Sequence, residues 1–558
     1  MRLPLFPALL SLTALCAPAG QAQTLIQILQ DELQRNFTGL KKAEPAPYYM
    51  AYSVTEQESD IISAVSGVLQ GKNKSRTRSL DVTVRVGSPK LDNYHIVPGQ
   101  SPRFTSGSAL PIEDVPAAIR QRLWAETDRT YRLGAQRLIE IKSNAQVKVA
   151  EQDQSEDFST EAPSVADQPV QPLKFNEEEW SQRLRKWSAR LSSNPSILNG
   201  QIALVLRRET KYMVSTEGTR LQHGRTFAGL SVSALGKASD GMDLAVFENF
   251  QASEPGRLVK PEAVDAMIDD LSARLVKLLH APIVEPFIGP AILSGSASGV
   301  FFHEIFGHRV EGHRQRDEGE GQTFTKSVGS SVLPNFLSVV FDPTRKTLGA
   351  ADLNGYYAFD DEGVKARPVT VVENGVLKTF LMSRAPVKGF EHSNGHGRRQ
   401  SGAEVVSRQS NLIVESRKQV SNAKLRELLI AEIKRQNKPY GLYFEQVSSG
   451  FTLTQRRGLQ AFTVIPLLVY RVFPDGKPDE LVRGADIVGT PLSSFAKILA
   501  TSDRQDVFNG YCGAESGQVP VSAISPALLV SEIEIQKKDH AQDRPPLLPR
   551  PATAGAGQ

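Results

Sequence analysis

Apolar residues recur at helical spacing in several stretches of the chain. Leu25, Leu29 and Leu33, for example, fall on one face if the segment around them is helical. The same periodicity predicts helices over residues 24–42, 115–141, 180–191 and 261–279. The last of these ends at His280-Ala281-Pro282 because proline cannot continue a helix.

Other stretches alternate apolar and polar residues, which is typical of strands. Alternation predicts strands over residues 48–54 and 80–86, and short strands broken by Gly-containing turns such as Glu217-Gly218 over residues 201–247. Hairpins are predicted over residues 369–381, turning on Asn374-Gly375, and around Pro474-Asp475-Gly476. Helices and strands in separate runs indicate an α+β fold.

The chain is long enough for two domains with separate cores. We place the boundary near residue 282, between an N-terminal α+β domain of mixed sheet with helices (23–282) and a C-terminal domain rich in short strands (283–536). Residues 149–178 are polar and acidic, and we expect an exposed insertion, flexible in part. The Pro-rich residues 537–558 are expected to form a disordered tail.

The first 22 residues have the composition of a secretory signal peptide. Arg2 precedes an apolar stretch that runs through Cys16, and small residues follow before Gln23. We therefore expect export to the periplasm or the medium. A lipid anchor at Cys16 is disfavoured by the bulky Leu15 before it. No later apolar run reaches the roughly 20 residues that a membrane-spanning helix needs.

The charge and cysteine content bear on the protein's partners and on the state of its thiol. The formal net charge is +4 over 558 residues, and basic residues are interspersed with acidic ones, which disfavours nucleic acid as a partner. Of the two cysteines, Cys16 lies in the predicted signal, so Cys512 is left as a lone thiol. A lone thiol in an oxidising compartment is expected to be buried or bound to metal.

Residues 294–314 contain the pattern H-E-x-x-x-H. Ser296 or Ser298 can cap a helix that begins near Gly299 and carries His303, Glu304 and His308. Two neutral imidazoles beside an unligated glutamate are what a hydrolytic zinc site uses: the nitrogens bind Zn²⁺ and the carboxylate accepts a proton from water. The pattern predicts a zinc centre with Glu304 as general base.

The spacing of the two histidines adds a condition. Residues five apart on a regular helix diverge by about 140°, so His303 and His308 cannot share one ion unless the helix is distorted. A widened turn, such as a π-bulge permitted by Gly307, would bring them together. The alternative is a pair of surface histidines on an ordinary helix, which the preceding apolar run Val300-Phe301-Phe302 disfavours.

A catalytic zinc ion needs a third protein ligand. The candidates in the sequence are His313, His392, His396, Cys512, Glu311 and Asp317. Cys512 is favoured because Gly510 and Gly513 flank it and would let its loop approach an ion. A buried, inert cysteine remains the alternative.

Two polar loops are further candidates. Residues 394–399 carry His396, Arg398 and Arg399, which could bind a peptide carboxylate or stabilise an oxyanion, although a solvated surface loop explains them equally well. Residues 360–362 are acidic, but they lack the alternating ligands of a calcium loop. We expect a turn there.

Several of these segments together resemble the TldD/PmbA family of metallopeptidases. They are His303-Glu-Ile-Phe-Gly-His308 with Glu311-Gly312, Asp360-Asp-Glu-Gly363, Glu373-Asn-Gly-Val-Leu377, Asn394-Gly-His-Gly-Arg-Arg399, and Cys512-Gly with Gly517-Gln-Val-Pro520. The resemblance implies the catalytic TldD type, with zinc bound by His303, His308 and Cys512 and Glu304 as base. It also implies a homodimer, or a heterodimer with a related subunit, that hydrolyses unfolded or small peptides.

The chain departs from this family in two ways. The family is best known from the cytoplasm, whereas this chain begins with a predicted export signal, and His313 stands where an acidic residue is expected. A peptidase is the leading hypothesis. The alternatives are a non-catalytic, zinc-stabilised peptide-binding or assembly factor of the cell envelope, and a zinc amidase acting on the cell wall.

Overall fold

The computed structural model describes residues 23–97, 100, 102–145, 153–317, 319–456, 462–489, 494–538, 546 and 548. Its helices, α1 to α7, are Leu25–Leu40, Pro116–Ala145, Glu177–Ser192, Pro261–His280, Gly295–Ile305, His313–Arg316 and Asn422–Arg435. The bounds of α1 to α4 lie within a few residues of the predicted ones, so these four predictions are confirmed. No helix in the described part of the chain is long and apolar enough to cross a bilayer.

The first sheet is built from strands of the N-terminal half. Strands β1 to β8 are Pro47–Val65, Val68–Ser88, Leu91–Asp92, Ser108–Ala109, Val165–Asp167, Asn199–Ser215, Arg220–Lys237 and Asp243–Ala252. The central order is β2-β1-β6-β7-β8, all antiparallel. The turn predicted at Glu217-Gly218 joins β6 to β7, but the prediction of short strands over 201–247 is wrong, because pairing runs unbroken from Asn199 to Val214.

Helices cover this sheet in two groups. Helices α1 and α2 pack over one core, which contains Leu29, Tyr52 and Leu123. Helices α3 and α4 pack over a second core, in which Trp187 and Ile268 are buried. Each helix buries the apolar face that its sequence periodicity predicts.

The segment predicted as an exposed insertion is partly buried. Residues 149–152 of it lie outside the described part of the chain, but Asp157 and Phe158 are both buried. Phe158 packs against Tyr49, with ring centroids 4.8 Å apart, and Asp157 accepts a hydrogen bond of 2.8 Å from Arg316. The segment is held in place because Phe158 and the Asp157 carboxylate both find partners, which its overall polar composition does not predict.

The second sheet is built from strands of the C-terminal half. Strands β9 to β24 are Phe287–Leu293, Leu337–Phe341, Thr347–Leu348, Ala351–Asp352, Val369–Glu373, Val376–Leu377, Gly397–Arg398, Val406–Ser407, Asn411–Ser416, Gln419–Val420, Gly441–Thr452, Phe462–Val472, Glu480–Val482, Ala485–Gly489, Ile498–Ala514 and Gly517–Lys537. Of these, β11–β12 and β15–β16 form separate two-stranded sheets. The others form the second sheet, in which β9, β19, β20, β22 and β24 pair in a closed ring. Both predicted hairpins, β13–β14 and β20–β21, are confirmed. Besides the expected short strands there are long ones, such as the 21-residue β24.

Helix α5 is enclosed by this second sheet. Its apolar run Val300-Phe301-Phe302 lies in the core with Phe462 and Phe495, as predicted for residues that precede the histidine motif. The predicted signal peptide, residues 1–22, and all of the predicted tail beyond Lys538 except residues 546 and 548 lie outside the described residues.

Candidate metal centre

Helix α5 carries the first two residues of the motif. Its N-cap is Ser294, whose hydroxyl accepts a hydrogen bond of 3.2 Å from the Ala297 amide, so the helix begins earlier than the predicted start at Gly299. A Cβ at Gly299 would lie 3.0 Å from the Ala523 carbonyl oxygen. The helix therefore packs directly on the backbone of β24, and this contact fixes the depth of His303 and Glu304 in the core.

The helix changes character before it reaches His308. The α-helix ends at Ile305, and residues Gly307–Val310 form a 3₁₀ turn, with the Arg309 amide donating to the Phe306 carbonyl at 3.0 Å. The predicted distortion is present, but its predicted type is wrong: the chain tightens instead of widening into a π-bulge. The turn redirects His308 toward the imidazole of His303.

Gly307 has a different role from the predicted one. A Cβ there would lie 1.9 Å from Oε1 of Gln409, so no side chain fits. Gln409 is buried, and its Nε2 donates to the His303 carbonyl oxygen at 3.2 Å. The glycine thus admits a side chain that holds the end of α5 in place.

The structure brings together His303, His308 and Cys512. One ligand atom from each lies within 4.8 Å of the other two, and all three residues are buried. The Cys512 Sγ is 3.3 Å from His308 Nε2, and the two imidazole rings lie 5.1 Å apart at an interplanar angle of 82°. Cys512 reaches this point from β23, where it pairs with Val519 of β24.

The charges of these groups depend on one another. Burial opposes ionisation of Cys512, but the imidazoles of His308 and His303 outweigh it and hold the pKa of the thiol well below its usual range. Burial likewise opposes protonation of His308, but Cys512 and Glu311 raise its pKa well above the ordinary value. The group therefore favours a thiolate, which is the form that binds metal.

Glu311 contacts the ring nitrogen of His308 that faces away from Cys512. Its Oε2 lies 3.2 Å from His308 Nδ1 and accepts a hydrogen bond of 2.9 Å from Arg314. Burial opposes its ionisation, but these two neighbours lower the pKa of Glu311 to about 2. A carboxylate on the outer nitrogen fixes the orientation of an imidazole and leaves the other nitrogen free to bind an ion.

Glu304 lies beside the group. One of its carboxylate oxygens is 4.0 Å from His308 Nε2. Burial raises the pKa of Glu304, since the ionised form is poorly solvated there. A carboxylate with a raised pKa beside a metal-binding group is suited to accept a proton.

The donor atoms fit a zinc ion. Two nitrogens and one sulfur match the ligands that zinc prefers, and Nδ1 of His303 is buried with no hydrogen-bond partner among the described residues. No fourth His, Cys, Asp or Glu joins the group in the described part of the chain. Three protein ligands leave a position for water or substrate, as in catalytic zinc sites.

The other candidate ligands lie elsewhere. His313 is hydrogen-bonded through Nε2 to Glu515, and the His392 side chain is 69% exposed beside Glu161. His303, His308 and Cys512 are called the trio below. Asp317 lines the same cavity as the trio, but it is not one of the residues whose ligand atoms converge. Glu311 contacts His308 at Nδ1, not at the nitrogen that faces Cys512.

The predicted substrate-binding loop does not reach the trio. His396 is fully buried, with Nε2 3.1 Å from the Ser410 hydroxyl, and it lines neither of the two cavities described below. Arg398 and Arg399 line a different cavity. The loop turns inward because the Gly397 amide donates to Asp360 at 3.0 Å. The three residues therefore lie outside the cavity that holds His303, His308 and Cys512, and their role in binding substrate stays a prediction.

The predicted turn at residues 360–362 is present. Asp360 Oδ1 accepts hydrogen bonds from the Glu362 amide at 3.0 Å and the Val364 amide at 2.9 Å. Its carboxylate is thus used to close the turn and to receive the 394–399 loop.

The trio opens into a cavity of about 970 Å³. His303, Glu304, His308 and Cys512 lie in its wall, together with apolar side chains such as Phe451. A space of this size accommodates several residues of an extended peptide.

A known protein family matches the part of the chain that carries this site. Residues 288–537 match the family model described as PmbA/TldA metallopeptidase C-terminal domain. These residues include the whole of the trio. The match supports the PmbA/TldD family.

Relatives and solved structures point the same way. A metalloprotease TldD homolog from Haemophilus influenzae is 26% identical over 344 residues, which cover 59% of this chain and 65% of that protein. A zinc metalloprotease TldD homolog from Saccharolobus solfataricus is 24% identical, covering 64% of this chain and 76% of that protein. The crystal structure of TldE from Thermococcus kodakarensis has a TM-score of 0.63 at 12% identity, covering 91% of this chain and all of that one. The names support a metallopeptidase type, and the structural likeness shows a shared fold.

Proposed function

We propose that this protein is a zinc-dependent peptidase that hydrolyses unfolded or small peptides. His303, His308 and Cys512 hold the ion, and Glu304 is the general base. The observation that carries the proposal is the convergence of two imidazoles and a thiolate on one buried point, with a carboxylate 4.0 Å from His308 in the same cavity.

In the proposed reaction, the ion and the Glu304 carboxylate have separate roles. Zinc, when bound, supplies Lewis acidity that polarises a carbonyl group and favours ionisation of water. The Glu304 carboxylate accepts the proton that water loses as its oxygen attacks the scissile carbonyl carbon. Glu304 then returns this proton to the amide nitrogen, the C–N bond breaks, and the products are a carboxylic acid and an amine.

The surrounding residues prepare these steps. Glu311 holds His308 by its Nδ1, and Gln409 holds the His303 backbone, so both imidazoles are oriented before substrate arrives. Burial of Glu304 disfavours its charged form and makes the carboxylate a stronger base than one in water.

The proposal extends to location and assembly. We propose that residues 1–22 direct export, as their basic residue and apolar stretch suggest, and that the mature protein forms a dimer with itself or a related subunit. N-terminal sequencing of the periplasmic fraction should give a chain beginning at Gln23. Light scattering of the purified protein, alone and with a related subunit, should give the mass of a dimer.

Substitution of Glu304 separates the catalytic function from a purely structural zinc site. Glu304→Gln should retain zinc at the wild-type stoichiometry and lose peptide cleavage by a factor of about a hundred or more, since the general base is removed. Zinc content and cleavage of an unfolded peptide should be measured on the same preparation, with Glu445→Gln as a control outside the cavity lining. A wild-type protein that carries zinc but cleaves no peptide would favour the binding or assembly factor.

A further inference from the structure

A second cavity lies between the two sheets. Its volume is about 360 Å³, within the range of sites that hold small molecules. Strands β1, β2, β6 and β7 form one side, and residues 356–361 and 398–401 form the other. The exposed side chains of Tyr511 and Gln518 lie at its rim, so a molecule from solvent can enter.

The cavity is distinct from the zinc cavity. The β23–β24 hairpin stands between them: Val519 lines the second cavity, whereas Cys512 and Val521 line the zinc cavity. Tyr511 borders both. The proposed peptidase chemistry uses no residue of the second cavity.

Two of the acids in this cavity are already satisfied. Asp361 binds Lys211 at 2.5 Å and accepts a hydrogen bond of 2.9 Å from the Arg399 amide. Asp81 accepts hydrogen bonds from Thr105 and Ser401 and from the Gly402 amide. Neither carboxylate is available to neutralise a further cation.

Two arginines form no ion pair with a carboxylate among the described residues, and a third forms only a long one. Arg398 is only 6% exposed, and its Nη1 donates to the Gln409 carbonyl oxygen at 2.6 Å while its guanidinium lies 4.7 Å from the centre of the Tyr357 ring. Arg225 donates to a backbone carbonyl and reaches Glu209 only at 3.8 Å. Nε of Arg207 is buried with no partner among the described residues.

The cavity therefore holds uncompensated positive charge. On the first-sheet side of the lining, Asp81 is already satisfied, and Glu209 is the carboxylate that faces both Arg207 and Arg225. Burial lowers the pKa of Arg398, and Arg225 and Arg408 add to this, although Tyr357 and Asp361 oppose it; its charge is therefore only partly compensated. A buried cation without a counterion is costly, and an entering anion removes that cost.

We propose that this cavity binds a small oxyanion, a carboxylate or a phosphate, through the guanidinium groups of Arg207 and Arg398. Guanidinium presents a planar fork of donors that matches both kinds of oxyanion. The volume restricts the ligand to a compact molecule. This site goes beyond the proposed peptidase function and does not depend on it.

Calorimetric titration of the mature protein with inorganic phosphate, and separately with succinate, tests the site. At least one probe should bind to a single site, and the comparison distinguishes a phosphate site from a carboxylate site. Arg207→Gln should weaken binding about tenfold, the effect of losing a charge-assisted hydrogen bond. Glu209→Gln should strengthen it several-fold, because the carboxylate that competes for the arginines is removed.

The controls separate this site from the zinc centre and from misfolding. Arg132→Gln changes a guanidinium that is 77% exposed on α2, and it should leave binding unchanged. His303→Ala, which removes a proposed zinc ligand, should also leave anion binding intact, so loss of zinc and loss of this site are distinguishable. The opposite effects expected at Arg207 and Glu209 cannot arise from general destabilisation.

Two results would overturn the proposal. One is the absence of binding for both phosphate and succinate. The other is binding with the same affinity in wild type, Arg207→Gln and Glu209→Gln, which would place the anion elsewhere.

Discussion

The Sγ atom of Cys512 lies 3.3 Å from Nε2 of His308, although 204 positions separate the two residues in the chain. The contact joins a strand of the C-terminal hairpin to the turn that follows α5. Such a contact between a thiolate and an imidazole is what a shared metal ion requires, and it gives the lone thiol a protected position.

Replacement of this thiol should weaken metal binding without unfolding the protein. Cys512→Ser removes the thiolate and retains a side chain of similar size, so zinc affinity should fall by more than about tenfold. Competition with a chromogenic chelator measures this affinity. Tyr511→Phe, on the neighbouring residue of β23, should keep wild-type affinity, and equal affinities in all three proteins would exclude Cys512 as a ligand.

Glu311 should matter for zinc even though it is not a ligand. Glu311→Gln removes the charge that orients His308, and loss of such a partner typically weakens metal affinity 10- to 100-fold. Glu320→Gln is the matched control, because Glu320 contacts Arg314 but not His308. If the two variants lose zinc affinity equally, the effect comes from Arg314 and not from the orientation of the imidazole.

Gly307 should tolerate no side chain. Gly307→Ala forces Gln409 away from the His303 carbonyl, and overpacking of this kind costs about 1–3 kcal/mol of unfolding free energy. Gly39→Ala, on α1 with nothing within 4 Å of the added methyl, should be neutral or slightly stabilising. Urea unfolding of both variants measures the difference, and a second change, Gln409→Ala, should restore part of the stability lost at Gly307.

His396 should make the fold sensitive to acid. Burial lowers its pKa to about 3, against 6.5 for an ordinary histidine, so the folded state prefers the neutral imidazole. This contribution to stability is complete above pH 6.5 and declines as the pH falls toward 3. Between pH 7 and pH 5 it should account for a loss of about 2 kcal/mol.

Urea unfolding of wild type and His396→Gln at the two pH values tests this expectation. The variant should lose less stability on going from pH 7 to pH 5 than wild type does. His280→Gln changes an exposed histidine on α4 and should behave like wild type. The account of His396 is wrong if wild type and His396→Gln lose the same amount.

The sequence predicted those elements whose signal is local. Helices α1 to α4 follow from apolar periodicity, and the hairpin at Asn374-Gly375 from its turn residues. The full lengths of β1 and β2 did not follow. The distal half of β2, residues 70–77, is polar and exposed, so no apolar alternation marks it as a strand, and it is extended by pairing with the distal half of β1, where Ile62 and Ala64 are buried.

The same limit applies to the candidate site. Local sequence places His303, Glu304 and His308 near one another, but the 3₁₀ turn depends on Gln409, which is about a hundred residues away. The His396 side chain likewise points inward because it contacts Ser410 and Asn394. The sequence of the loop is Gly-rich and basic, so it did not predict that this histidine is buried. Of the supporting residues, Glu311 could have been assigned from its spacing of three residues after His308.

X-ray absorption at the zinc edge of the purified wild-type protein tests the central claim most directly. One zinc ion shared by His303, His308 and Cys512 predicts one sulfur at about 2.3 Å and two imidazole nitrogens at about 2.0–2.1 Å, with the remaining scatterer a light atom. The sulfur contribution should disappear in Cys512→Ser. A wild-type spectrum without sulfur, or one that Cys512→Ser leaves unchanged, would contradict the assignment of this metal centre.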